Sequence, residues 1–309
     1  MYFPYFRGRQ YELLALRELV VSGRHSKSII PVVEPIKLTS TLSSTLKAYS
    51  DTQTPIALVL NPSVGELTSN VDAIISLCRD NSICIPSILF DKKINNNVEK
   101  ALNAFLSSTS SNDDILTILN NRDFIVTYEG FIKHRVPRYT LCPDERQIKR
   151  AIGQNNKILF EDKFKKQDKN AAYPEDEFFS EDHLYFLNEG YVGVGDYSII
   201  GNEYFEGGFA PYAVAIHIVY LASDNTLRIR HFISDSNDDI SDVAGKFHEA
   251  VTKLANWCHN YQSLQLTLAL STLLDYHAHG YYPGLPTIKK LSIMHHLELI
   301  GTYLDKGKV

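Results

Sequence analysis

Five acidic residues stand where short apolar runs break off: Glu34, Asp91, Glu129, Glu161 and Asp196. The runs before them are Ile29-Ile30-Pro31-Val32-Val33, Ile83-Cys84-Ile85-Pro86-Ser87-Ile88-Leu89-Phe90, Phe124-Ile125-Val126-Thr127-Tyr128, Lys157-Ile158-Leu159-Phe160 and Tyr191-Val192-Gly193-Val194-Gly195. Asp162 follows Glu161 directly. Carboxylates gathered at one cavity repel one another, so they coexist only with a cation, by protonation or in salt bridges. A divalent ion is one solution, and oxygen ligands of this kind suit Mg²⁺ or Mn²⁺, which polarises a phosphoryl oxygen or activates water. Glu34, Asp91, Glu129 and Glu161 are then the candidate catalytic carboxylates, and Asp162 and Asp196 the candidate metal ligands. The other solution is a structural ion-pair network with Arg7, Arg9, Lys37 and Lys163.

The cations pose the same choice. Arg7 and Arg9 flank Gly8, which permits the bend that lets both guanidinium groups grip one phosphate or carboxylate. They can equally pair with Glu34 and Glu12. Together with Lys37, Asn61 at the end of Ile56-Ala57-Leu58-Val59-Leu60, and Lys163, they form the candidate substrate-binding set. His217 and His231 lie on two arms of an expected hairpin, where they serve either as base or metal ligand, or as hydrogen-bonded structural residues. His295 and His296 are adjacent on an expected helix and point about 100° apart, which suits packing and surface positions better than a shared metal. No zincin, nucleophile-elbow, Walker or dinucleotide motif is present.

Eight strand-then-helix units would bring these residues to one rim. The remaining strand candidates are Phe3-Pro4-Tyr5-Phe6, Tyr139-Thr140-Leu141-Cys142 and the run before Asn61. Apolar residues at helical spacing follow in 12–20, 67–78 and 98–106. The layout predicts an α/β fold, a (β/α)8 TIM-like barrel with an added β-hairpin and C-terminal helices, in which strand ends converge on one mouth. Between Glu129 and Arg138 there is room for one short helix only, so unit five is the least regular. Unit seven carries a polar, basic insertion at about 163–180, a candidate lid, with a helix starting at Ser180. A hairpin at about 212–233 turns at Asp224-Asn225, and helices are expected over 241–261, 263–279 and 287–304. A competing assignment makes the Ala213 run the eighth barrel strand.

The 309 residues, 44% hydrophobic and 22% charged, fit one barrel domain spanning 1–309. A net charge of -5 gives no strong nucleic-acid signal. Without a membrane-length apolar run or a signal-peptide pattern, the expectation is a cytoplasmic protein with no membrane association. The four cysteines, Cys78, Cys84, Cys142 and Cys258, are widely spaced and read as free thiols.

The opening Met1-Tyr2-Phe3-Pro4-Tyr5-Phe6-Arg7-Gly8-Arg9-Gln10-Tyr11-Glu12-Leu13-Leu14-Ala15-Leu16 and Ile30-Pro31-Val32-Val33-Glu34-Pro35 resemble the beta-protein-like family of uncharacterised bacterial and phage proteins. Phe178-Phe179-Ser180-Glu181-Asp182-His183 and Ala213-Val214-Ala215-Ile216-His217 resemble a bacterial subgroup of it. The resemblance implies an association with phage defence or mobile elements and a protein partner encoded nearby; it carries no catalytic assignment. Two functions are therefore expected. One is a metal-assisted hydrolase or phosphodiesterase-like enzyme acting on a phosphate-containing or other anionic small molecule. The other is a non-catalytic, partner-dependent component, for which 18 tyrosines and 15 phenylalanines supply interface material.

Overall fold

A computed structural model describes residues 1–307 apart from 93, 95, 109–113, 134, 206, 208–210 and 262–263, and apart from the side chains of 96–99 and 107–108. Eight strands form one parallel sheet: β1 (Tyr5–Phe6), β2 (Val32–Val33), β3 (Ile56–Val59), β4 (Cys84–Leu89), β5 (Leu116–Ile118), β6 (Tyr139–Cys142), β7 (Lys157–Phe160) and β9 (Gly193–Gly195). The sheet closes on itself. Phe3 N donates to Val194 O at 2.8 Å, Tyr5 N to Asp196 O at 2.8 Å, and Val194 N to Met1 O at 3.0 Å, which joins the last strand to the first. The chain is a (β/α)8 TIM-like barrel with additional C-terminal helices.

Period-two alternation builds both layers. Phe3, Tyr5, Ile30, Val32, Ala57, Val59, Ile85, Leu89, Leu116, Ile118, Leu141, Ile158 and Phe160 fill the barrel, whereas Phe6, Val33, Leu58, Ile88, Cys142 and Leu159 face the helices. That outer layer includes α1 (Gln10–Val21), α2 (Ser40–Asp51), α3 (Val71–Arg79), α4 (Asn96–Ser108), α5 (Ile125–Ile132) and α6 (Arg146–Ile152).

Strand five is corrected. The β-branched run Phe124-Ile125-Val126-Thr127-Tyr128 is not a strand: Asn121 Oδ1 accepts from Asp123 N at 2.9 Å, a 3₁₀ turn over Arg122–Phe124 follows, and α5 continues from it. Leu116–Ile118 takes the place between β4 and β6, with Leu116 opposite both Ser87 and Tyr139. Intrinsic β-propensity yields here to the parallel register, which has one vacancy and fills it with the more buried run. The eighth strand is β9; the Ala213 run belongs to another sheet.

That second sheet has the order β10-β11-β8, with β10 (Ala215–Leu221), β11 (Leu227–Ile233) and β8 (Asp176–Ser180) all antiparallel. Ser180 therefore ends a strand, and its Oγ accepts from Asp182 N at 3.1 Å to start the single-turn α7 (Asp182–Tyr185). The three C-terminal helices are α8 (Val243–Asn260), α9 (Leu268–His279) and α10 (Leu285–Asp305); Ser263, the expected start of the second, lies outside the described residues. Helix α10 packs on β10, α9 and α1, and its residues 291–301 are buried on every side. Both His295 and His296 are core residues in it. His295 bridges Thr267 Oγ1 and Val219 O, each at 2.7 Å, and His296 Nδ1 meets Ser198 Oγ at 3.0 Å. No described helix is long and apolar enough to cross a membrane, and the four cysteines are free.

Candidate functional site at the barrel rim

Above β1, β2 and β9 the barrel is sealed by a hydrogen-bonded plug. Glu34 has no exposed surface. Its Oε2 accepts from Tyr5 Oη at 2.6 Å and from Arg7 Nη1; its Oε1 accepts from Ser63 N at 2.6 Å and Ser63 Oγ at 2.7 Å. Arg7 lies against the rings of Tyr5 and Tyr197, at 5.5 and 6.0 Å, and donates to Asn202 O at 3.1 Å. Burial pushes the Tyr5 phenol well up and the Tyr197 phenol to about 12, so both are donors at neutral pH. The local cause is period two: Tyr5 and Arg7 alternate inward along one strand, and Gly8, at φ 64°, turns the chain away so that Arg9 leaves the barrel axis. Arg7 and Arg9 thus part company.

The other expected site residues disperse. Asn61 is buried and acts as a piece of backbone, donating to Leu89 O at 2.7 Å and accepting from Leu89 N at 3.0 Å. Asp91 follows β4, half-buried and engaged with neighbouring groups. Glu129 is exposed on α5 rather than at a strand end, a direct consequence of the strand-five correction. Glu161 pairs with Lys163 at 2.8 Å, and Lys163 also reaches Asp182 at 2.7 Å. Asp162 stays at the rim, accepting from Phe164 N at 3.1 Å and Asn202 N at 2.8 Å. Asp196 turns out of the barrel, where Oδ1 accepts from Tyr2 Oη at 2.6 Å and Ser198 N at 2.7 Å; burial raises its carboxyl to about 6. Lys37 pairs with Glu66 at 3.0 Å on the surface.

These placements do not fit the expected Mg²⁺ or Mn²⁺ site. Both carboxylate oxygens of Glu34 and of Asp162 already accept hydrogen bonds, Asp196 turns away from them out of the barrel, and the described residues contain no group of three or more His, Cys, Asp or Glu that could hold a metal. The segment 163–174, the candidate lid, packs against the rest of the chain. Phe164 and Tyr173 are buried, Lys165 pairs with Glu177 at 3.3 Å, Lys166 with Glu203 at 2.9 Å, and Asn170 Nδ2 donates to Ala213 O at 2.8 Å.

Open space lies beside the plug. A cleft of about 390 Å³ runs between Arg9, Ile36, Lys37, Glu66, Tyr204 and Phe205. The Arg9 guanidinium stacks on Tyr204, 5.1 Å from the ring centroid, and donates through Nη2 to Phe205 O at 2.5 Å. It has no ion pair among the described residues. Glu12, buried in the first turn of α1, accepts instead from the Arg9 backbone N at 3.2 Å.

Several of these participants carry no motif. Tyr5 and Tyr197 are recoverable from period two, since each sits two residues from an inward position. Ser63, Asn202 and Tyr204 come from loops that only the closed barrel brings together. No protein-family model and no curated protein matches the chain. The class is therefore defined by fold and site: a (β/α)8 barrel with a plugged axis and a cationic, aromatic-walled cleft on its rim.

Proposed function

We propose that the chain binds a phosphate-containing or other anionic small molecule in the rim cleft, with Arg9 as its principal contact. The observation that carries this reading is the contrast between the two arginines that connect β1 to α1. Arg7 is neutralised by Glu34 within the plug. Arg9, held by an aromatic face and one carbonyl, points its remaining donors into an open cleft with Lys37 opposite. A guanidinium pre-oriented in this way offers paired donors to a phosphate or carboxylate at little entropic cost. A hydrolytic role would need the reacting group placed near Asp162, the rim carboxylate most open to solvent.

Calorimetric titration with a panel of nucleotides and sugar phosphates tests the proposal. Arg9→Ala should weaken the best ligand by about tenfold or more, the worth of a charge-assisted hydrogen bond, while Lys47→Ala, on the far surface of α2, should not. Equal affinity in both variants would refute it. A second reading is favoured by the exposure of two large aromatics, Phe205 at 60% on the wall of the cleft and Tyr212 at 61% beside a separate cavity. In that reading the chain is a member of the bacterial beta-protein-like subgroup, and this face docks a separately encoded partner of a phage-defence or mobile-element system. A stable stoichiometric complex with the adjacent gene product, lost on Phe205→Ser, supports it; a strictly monomeric protein in co-expression opposes it.

A further inference from the structure

A second cavity, about 240 Å³, lies between the 163–174 wall, the segment after β9, strand β10 and helix α10. Its lining includes Lys166, Asn170, His217, Lys289 and Ser292, with Ile199 and Ile288 as apolar walls. Its volume is below the roughly 300 Å³ at which drug-sized ligands begin, so its occupant is small.

His217 is the end of a three-residue chain. The antiparallel register sets it directly opposite His231, and the two Nδ1 atoms are 2.6 Å apart. Register between β11 and β8 brings up Glu177, whose Oε1 lies 3.3 Å from His231 Nε2. Tyr173 stacks on His231 and meets His217 edge-on, at 4.7 Å in both cases, so neither ring can swing away. At 2.6 Å the two imidazoles share one proton: two lone pairs would repel and two protons would collide. A carboxylate only accepts, so His231 carries its proton on Nε2 and offers a lone pair at Nδ1. His217 must then donate from Nδ1, which leaves the lone pair of His217 Nε2 without a partner among the described residues and bordering the cavity. Burial holds both imidazoles neutral, which preserves that lone pair.

Cations stand nearby. Lys289 is an exposed residue overall, but desolvation lowers its ammonium below the usual lysine range, and Arg9 and Lys166 lower it further against the opposing Glu12. It forms no ion pair among the described residues. The cavity is therefore lined both by a cation that forms no ion pair among the described residues and by a ring that offers a hydrogen-bond acceptor.

We propose that this cavity is a second ligand site, distinct from the Arg9 cleft, that takes a small phosphate or phosphomonoester bearing one acidic O–H, with its oxygens on Lys289 and its O–H donated to His217 Nε2. Sulfate has the same shape and no such proton near neutral pH, so it meets a lone pair with a lone pair. A site built around one hydrogen bond rejects the analogue that lacks the donor.

The test uses the full chain, with inorganic phosphate and sulfate as probes and the histidine ¹⁵N spectrum as readout. Phosphate should move the His217 Nε2 resonance upfield and bind about tenfold or more tighter than sulfate. Lys289→Met should lose that binding by a similar factor, and His217→Phe should abolish the preference. Sulfate binding as tightly as phosphate to the wild-type protein would overturn the proton assignment, and needs no variant to fold. Retained phosphate affinity in Lys289→Met, or a His217 response that vanishes in Arg9→Ala but survives Lys289→Met, would place the anion in the other cleft and overturn the site. An Arg9→Ala variant that loses the nucleotide or sugar phosphate but keeps the His217 response separates the two sites.

Discussion

Glu34 shows why an acidic residue at a strand end is not by itself a catalytic residue. A carboxylate only accepts, and this one is met by four donors from Tyr5, Arg7 and both the amide and hydroxyl of Ser63, with no exposed surface left. It organises the plug by fixing two arginine-proximal loops to strand β1. Glu34→Gln removes the charge opposite Arg7, which is itself only 14% exposed, and turns an amide NH₂ toward one pair of donors. The expected cost is about 3 kcal/mol, the scale for breaking one partner of a buried ion pair. Urea denaturation checks it: a midpoint unchanged from wild type would mean the pair is structurally idle.

Among the elements, the seam between β9 and β1 is the most demanding joint. Strand β9 is Gly-Val-Gly, and its glycines let β1 come close enough to close the barrel. A Cβ added to Gly195 would lie 2.6 Å from the Phe3 carbonyl oxygen, a backbone atom that cannot yield without moving the strand. Gly195→Ala should cost about 1–3 kcal/mol by overpacking. The damage should be local, so amide exchange at Phe3 and Tyr5, both bonded across the seam, should accelerate more than exchange in β4 or β6. Uniform protection would show that the seam tolerates the methyl group. The 163–174 wall teaches a related lesson: its sequence is polar and basic, yet Phe164 and Tyr173 anchor it beneath the surface.

At the scale of the whole molecule, Asp196 joins the barrel to its C-terminal layer. It follows β9 and lies between Tyr2, which precedes β1, and Ser198, whose hydroxyl meets His296 of α10. Burial raises its carboxyl from the ordinary 3.8 to about 6. The folded protein therefore binds this proton more tightly than the unfolded chain. Its contribution is fully present below about pH 4, declines as pH rises, and is lost above about pH 6, a loss of roughly 2–3 kcal/mol at 1.4 kcal/mol per pH unit. Asp196→Asn keeps an Oδ1 acceptor for both donors and removes the titration. Thermal melts should show the wild-type midpoint falling between pH 4 and pH 6 by more than that of the variant, and the variant should be at least as stable at pH 8. Parallel pH profiles for the two proteins would contradict this account.

The barrel and most of its strands were legible in the order of the residues, because period-two runs followed by period-3.6 runs leave few other ways to bury both faces of a parallel sheet. That order placed β6 and β7 to the residue, and it identified Glu34 and Arg9 as rim residues. Strand five was misread because β-branched residues at 124–128 outscore Leu116–Ile118 locally, and only the register between β4 and β6 decides between them. It could not tell Arg7 from Arg9, since their separation depends on the turn at Gly8 and on loops from distant units. That His217 and His231 could meet was legible from their places on the two arms of one hairpin, whereas strand β8, the cavity at Lys289 and the approach of Glu177 to His231 were decided by tertiary structure. Each rests on pairings between segments tens of residues apart, where register and burial fix which way a side chain points and which of its atoms is left without a partner.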